Sequence, residues 1–280
     1  MCQIYAPIAL FVYCRPDHVK KNIEALLANR EAKDTDLYIF SDAPKNEKAK
    51  EGVAQTREYI HTIAGFKSVT IFEREVNWGL AKSLINGISQ IVEQYGRVIV
   101  VEDDIIAAPY FLKYMNDGLE KYKDEPKVAS IHAYSYPHKR KLPDTFFVKG
   151  ADCWGWATWK RAWDVFTPDA AFLYSEIVKR KLQREFDFNF TFPYMNMLKD
   201  QIKGKVSSWA ICWYASAFLN DMYTLYPNVS MAKQIGMDGQ GATHSVVTNK
   251  YEVEVNQNVL CLKDIPIENS REGVKMFQEF

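Results

Sequence analysis

The chain reads as an α/β protein built on a central, mainly parallel sheet flanked by helices, and three observations predict this. Apolar, β-branched or aromatic runs recur at Ile8–Cys14, Leu37–Phe40, Val69–Phe72, Val98–Val101 and Val128–Ile131. Their starts lie roughly 30 residues apart, the length of one strand–helix unit. The runs carry no polar alternation, so each strand is expected to be buried on both faces, as parallel strands covered by helices are. Between them lie stretches with helical spacing.

The first such stretch is Val19–Leu27, where Val19, Ile23, Leu26 and Leu27 fall on one face and Asp17 supplies a start signal. In the second, Leu80–Val92, Leu80, Leu84, Ile88, Ile91 and Val92 do the same after Gly79. Asn46–Glu51 reads as a polar surface loop or a helix start. Residues 1–135 are therefore the α/β part. Beyond them the character changes: residues 150–215 hold six of the seven tryptophans, and residues 228–245 are rich in small and turn-forming types. No linker or low-complexity segment divides the chain, so residues 1–280 are taken as a single domain.

Composition narrows the function. The 280 residues are 48% hydrophobic and 25% charged, ample for a sizeable core. Lys+Arg 35 against Asp+Glu 35 leaves no net charge, which argues against a general grip on nucleic acid or on an anionic membrane. Five scattered cysteines with no CxxC pair read as reduced thiols. No basic n-region or cleavage site opens the chain, and no apolar run reaches the roughly 18–20 residues needed to span a bilayer. The expected location is cytoplasmic, extending to peripheral contact with the inner face of a membrane. Asn189-Phe190-Thr191 and Asn228-Val229-Ser230 match a glycosylation pattern and are read as chance matches.

The strongest chemical signal is Arg97-Val-Ile-Val-Val-Glu102-Asp103-Asp104. Ligands bind outside the carboxyl ends of strands in open α/β sheets. Three acids at such a place repel one another unless a cation compensates them, and Mg²⁺ or Mn²⁺ suits oxygen ligands bridged to phosphate. The bland alternative is an acidic, solvated turn. Asn77-Trp78-Gly79-Leu80-Ala81-Lys82 is a short loop feeding a helix N-terminus, a natural anion site with Lys82 as an added charge, or simply a capped amphipathic helix.

Arg15 follows the first strand and Asp42 the second, so parallel strands place both beside the triplet. Arg15 suits phosphate, and Asp42 a base or ribose. Each taken singly reads more readily as a helix-capping or surface residue; their common location brings the site reading level with that. Gly150-Ala-Asp152-Cys-Trp154-Gly155-Trp156 combines glycine freedom with flat aromatic faces suited to sugar rings; part of it is expected to be core packing. Asp152 amid that apolar cluster is harder to explain as packing, because a buried charge needs a partner. His244 closes the glycine-dense Gly236–Thr243 stretch, which reads as a mobile loop over the site with His244 reaching metal or diphosphate.

Taken in order, Tyr13-Cys14-Arg15-Pro16, Phe40-Ser41-Asp42, Asn77-Trp78-Gly79-Leu80, Val101-Glu102-Asp103-Asp104, Trp154-Gly155-Trp156 and the loop before His244 resemble a GT-A glycosyltransferase. The chain is similar to bacterial family-2-like sugar transferases related to N-acetylglucosaminyltransferase I, from about Pro7 to His244. The resemblance implies a nucleotide-sugar-binding half (about 1–135), an acceptor half (about 136–250) and a C-terminal tail (251–280). It implies a UDP-sugar donor, a glycan or lipid-linked acceptor, Mn²⁺ or Mg²⁺, and inverting transfer of a hexosyl or N-acetylhexosaminyl group.

Carried over, Arg15, Asp42, Asn77, Lys82, Glu102 and Asp103 contact the donor. Trp154, Gly155 and Trp156 contact substrate, and Asp104 and His244 ligate the metal. A carboxylate in these enzymes deprotonates the acceptor. The acid the family often carries before its second aromatic block is replaced here by Ser207-Ser208 ahead of Trp209, so Asp152 or Asp200 is expected to take that role. Two rivals stand beside this reading: a catalytically weakened sugar-nucleotide-binding protein and a nucleotidyltransferase. The second normally carries a Gly-rich loop where this chain has Cys14-Arg15-Pro16-Asp17.

Overall fold

The computed structural model describes residues 5–239 and 247–280. In chain order the first half runs β1 (Ile8–Val12), α1 (Pro16–Leu27), β2 (Asp36–Ser41), α2 (Lys50–Ile60), β3 (Ser68–Glu73), α3 (Leu80–Tyr95), β4 (Arg97–Glu102), β5 (Ile105–Ala107), α4 (Phe111–Lys121) and β6 (Val128–His132). The second half runs β7 (Thr145–Lys149), β8 (Trp156–Trp159), α5 (Lys160–Trp163), α6 (Ala170–Lys179), α7 (Gln183–Phe186), α8 (Tyr194–Ile202), α9 (Trp209–Leu219), β9 (Tyr223–Pro227), β10 (Ala232–Gln234) and α10 (Arg271–Glu279).

The eight-stranded sheet has the order β3-β2-β1-β4-β8-β6-β9-β7. β3, β2, β1 and β4 pair in parallel, β8 is antiparallel to both β4 and β6, β9 is parallel to β6, and β7 is antiparallel to β9. Hence all but β7 and β8 point the same way. The register aligns Phe11 with Glu102, Val12 with Ser41, and Ser41 with Glu73, so the residues after β1, β2, β3 and β4 emerge along one edge. β6 ends at that edge, and the loop entering β8 arrives there too.

The apolar runs form the expected strands, and β1 and β6 are buried throughout. α3 begins after Gly79 and stops at Gly96, both at positive φ (74° and 73°), conformations glycine adopts without a Cβ clash. Leu84, Ile88, Ile91 and Val92 are buried as its periodicity requires, whereas Leu80 and Leu27 of α1 are exposed. Asn46–Glu51 resolves as a helix start: the Asn46 side chain accepts from Ala49 N and leads into α2. Gly52 of α2 lies flat on the chain after β1, where any Cβ would overlap the Cys14 carbonyl oxygen.

A main core fills both faces of the sheet. A second core, around Tyr134, Phe146, Phe186, Tyr214 and Phe277, joins α6–α10 to the far strands. α9 is buried almost all round and so lacks an amphipathic face. Its cap is Ser208, whose hydroxyl accepts from Ile211 N at 3.3 Å. No described helix is long and apolar enough to cross a membrane. The four described cysteines, Cys14, Cys153, Cys212 and Cys261, are free thiols.

Candidate active site

The sheet edge gathers most of the residues singled out above. The turn after β4 carries Glu102, Asp103 and Asp104. Arg15, at the start of α1, reaches across β1 and clamps two of them. Its Nη2 donates to Asp103 Oδ1 and, at 3.0 Å, to Asp104 Oδ2, while Nε lies 3.4 Å from Asp103 Oδ2. Arg15 therefore engages both oxygens of Asp103 but one of Asp104. Burial opposes the Arg15 charge, yet the two carboxylates outweigh it and hold the guanidinium firmly protonated. Burial pushes Glu102 upward, with repulsion from Asp104 and Asp103 adding to it. Asp103 also moves up through burial, against the pull of Arg15.

One strand away, Asp42 organises the loop after β3. Its Oδ1 accepts from Ala43 N and Trp78 N, both at 2.9 Å; its Oδ2 accepts from Gly79 N at 2.8 Å and Asn77 Nδ2 at 3.1 Å. Four N–H donors fill the capacity of a buried carboxylate. Asp42 thus shapes the loop, rather than offering a vacant acceptor to a base or ribose. Asn77 Nδ2 also donates to Ala43 O at 2.6 Å. The Trp78 ring carries the Arg74 guanidinium 3.8 Å and the Lys82 ammonium 4.4 Å from its centroid, so Lys82 is an exposed cation above the loop.

On the other side of β4, the chain entering β8 comes alongside the triplet. Val100 pairs with Trp156, where β8 begins, so Trp154 and Gly155 lie just before the strand, at the edge where Glu102 emerges. Asp152 is fixed by Tyr136, whose hydroxyl donates to Oδ2 at 2.9 Å, and by Cys153 N, which donates to Oδ1 at 2.8 Å. His132 is fully buried, 3.8 Å from Asp152 Oδ1. Its Nε2 accepts from Trp154 N at 3.1 Å, so Nδ1 carries the proton and donates to Tyr134 O at 2.9 Å. Burial lowers its pKa, against the opposing pull of Asp152.

Trp154 is half-buried, edge-on to Tyr134 and Tyr251. Gly155, at φ 67°, packs so closely that a Cβ would meet Ile105 Cγ2 at 3.1 Å. Trp156 departs from the expectation for it. It is fully buried among Trp163, Trp209 and Trp213, and so is core rather than a sugar platform.

Asp200 stands apart from this group. It lies on α8, with a partly exposed side chain 3.9 Å from Lys205 Nζ. The segment after β10 does cover the triplet: Ile235 N donates to Asp104 O at 2.9 Å, and Gly236 lies so close that a Cβ would overlap Asp104 Oδ2. His244 and residues 240–246 lie outside the described residues.

Sequence reading missed three residues. Asn22, fully buried on α1, donates through Nδ2 to Glu102 O at 3.2 Å and Ile105 O at 2.5 Å, fixing the acidic turn. A polar residue among Val19, Ile23 and Leu26 on the buried face was the available signal. His18 Nε2 sits 3.2 Å from Asp238 Oδ2 and docks the Gly-rich segment onto α1. Tyr136, the partner of Asp152, left no signal of spacing or motif.

The divalent ion implied by the resemblance can be tested against this donor set. Among the described residues, no three His, Cys, Asp or Glu groups converge as a metal cage. Mg²⁺ and Mn²⁺ with a nucleotide need only one or two carboxylates, since phosphates and water complete the shell. Asp104, the more exposed of the clamped pair and held through a single oxygen, fits that mode.

No family model matches the chain, and no curated protein matches it. Among solved structures it is similar to the mannosyltransferase PcManGT from Pyrobaculum calidifontis in complex with GDP-Man and Mn²⁺, at 12% identity and TM-score 0.36, over 48% of this chain and 36% of that one. It is also similar to TarS from S. aureus, residues 1–349, at 11% identity and TM-score 0.44, over 83% of this chain and 61% of that one. A further S. aureus TarS structure aligns at 15% identity and TM-score 0.35, over 52% of this chain and 24% of that one. The chain thus spans less than two thirds of each, and the functional reading rests on the geometry of the site.

Proposed function

We propose that the chain is a glycosyltransferase that moves a sugar from a UDP-sugar to a hydroxyl of a glycan or lipid-linked acceptor, with inversion. The observation that carries this reading is one sheet edge on which an arginine-clamped acidic turn lies one strand from a carboxylate beside an indole. Arg15, with Nε and Nη2 held by Asp103 and Asp104, has Nη1 left to donate to a phosphate. The Asn77–Gly79 loop, set by Asp42, delivers the N-terminus of α3 as an anion seat, with Lys82 above it.

Asp104 would hold Mn²⁺ or Mg²⁺, which when bound neutralises the diphosphate as it departs. Asp152 takes the proton from the acceptor hydroxyl. Tyr136 and Cys153 N fix its rotamer, and Trp154 presents a flat surface for the acceptor ring. Ser208 is a helix cap and cannot serve as a base near neutral pH. That same serine favours a second reading, a sugar-nucleotide-binding protein with weakened transfer.

Titration of UDP and UDP-sugars with Mn²⁺ and with EDTA, followed by transfer assays, tests the proposal. Asp104→Ala should remove the cation requirement with most of the affinity. Asp152→Asn should slow transfer by about 10²–10⁴-fold while donor affinity holds. Equal UDP affinity in EDTA and Mn²⁺ overturns the metal role. Transfer at the parent rate in Asp152→Asn but not in Asp200→Asn moves the base to Asp200. Tight donor binding without transfer selects the second reading.

A further inference from the structure

A cavity of about 490 Å³ lies on the face of α7 and α10, within the size range of small-molecule sites. Its floor is apolar, from Leu182, Phe188 and Val274, and its rim carries Lys181 and Arg184. The two cations are exposed, and neither forms an ion pair with a described carboxylate. Arg184 Nε donates to the neutral Asn189 Oδ1 at 2.6 Å. Glu185 is the acid among the lining residues, so the two rim cations outnumber it; Lys149 Nζ lies 3.5 Å from Glu185 and 2.6 Å from Asp221, shared between them. The concavity therefore presents net positive charge above an apolar floor.

The backbone around it is unusual. Phe188, Asn189 and Phe190 are three consecutive non-glycine residues at positive φ (47°, 62° and 66°), whereas Lys181, at 57°, is the left-handed cap that ends α6, with Leu182 N donating to Ile177 O. Left-handed conformations are unfavourable for residues with a Cβ, and such strain collects at binding sites. Here the run turns Phe188 into the floor and Asn189 into the wall, and leaves Phe190 66% exposed beside them. No catalytic residue proposed above lines this cavity. Phe188 stacks on Phe277, which packs against Tyr136, the partner of Asp152. A single layer of rings thus separates the two sites.

We infer that this cavity is a second binding site, for an anionic amphiphile. A negatively charged head group sits between Lys181 and Arg184, and an apolar chain lies along Leu182, Phe188 and Val274 toward Phe190. Neither feature alone selects this class: a free phosphate has no use for the floor, and a neutral alkyl chain none for the rim. The inference is independent of the proposed transferase activity.

Calorimetric titration of the full chain with dodecyl phosphate below its micelle concentration tests it, beside inorganic phosphate and dodecyl maltoside. Dodecyl phosphate should bind at least tenfold more tightly than either comparator. The charge-reversed pair Lys181→Glu, Arg184→Glu should lose at least tenfold of that affinity while UDP affinity is unchanged. The ligand comparison uses the parent protein and stands even if the variant fails to fold. Equal affinity for inorganic phosphate or for the maltoside overturns the inference, as does a folded variant that binds like the parent. Binding confined to anionic phospholipid vesicles, with none to monomeric dodecyl phosphate, also overturns it, because a flat surface would then be responsible.

Discussion

The two sides of β4 hold their shape by different means. On the β1–β3 side, the edge is ordered by directional bonds from charged groups: Arg15 on Asp103 and Asp104, Asp42 on four N–H donors, Asn22 on the acidic turn. On the β8 side, order comes from rings: Trp156, Trp163, Trp209 and Trp213 pack as one cluster, and Tyr134, Tyr136 and Trp154 as another. Directional bonds fix positions and charges. Ring packing fixes volume and tolerates sliding. Damage to the bonded groups on the first side should therefore register mainly in ligand binding, and damage to the buried tryptophan cluster on the second mainly in stability.

The largest effect expected is on the aromatic side. Trp213 is fully buried, 5.2 Å from Trp163 and 5.6 Å from Trp156 between ring centroids. Trp213→Ala should cost about 3–5 kcal/mol of stability in urea unfolding. UDP affinity of the remaining folded protein should stay within about twofold; a tenfold loss would erase the contrast.

Next is Asp42→Ala, which leaves four donors without their acceptor. Removing a buried charged acceptor costs about 2–3 kcal/mol. Here, unlike at Trp213, UDP affinity should fall at least tenfold, because the Asn77–Gly79 loop loses its anchor. An unfolding curve and a nucleotide titration on the same sample decide it.

Gly236→Ala sharpens the comparison by separating the two readouts. The atoms nearest the added methyl are the ends of the Asp104, Gln234 and Arg15 side chains. Stability should change by less than about 1 kcal/mol, while donor affinity drops several-fold because the clamp must shift.

The smallest effect concerns His132. Burial depresses its pKa, so the fold favours the neutral ring. That contribution is intact above the unfolded histidine value near 6.5 and is lost as pH falls below it toward the depressed folded value. Stability of the parent should therefore decline from about pH 6.5 downward. His132→Gln, which cannot titrate, should flatten the profile in that window, and parallel curves would remove the histidine from the account.

Much of the first half was legible because its signals are local. Each of the five apolar runs is a strand, and the acids after Val101 had to emerge at a strand end. What spacing could not show was use. Asp42 was visible as a residue at the right edge, but three of its four donors come from a loop some 35 residues away. The second half was less readable for a physical reason. α9 is apolar on every side and shows no helical period, and β7 and β9 pair across α5–α9, a separation no local pattern reports. Trp154 and Trp156 look alike in sequence. One is half-buried at the edge and the other is sealed in the core, a difference set by where β8 begins.

Asp42 has one further consequence, in time rather than in energy. Because its carboxylate already ties the end of β2 to the loop after β3, the anion seat needs no slow rearrangement before a ligand arrives. Encounter should then be governed by diffusion into the site, with no lag from loop ordering. Differences in affinity among nucleotides would appear in how long each stays, and a stopped-flow trace of UDP binding should be a single exponential whose rate rises linearly with concentration.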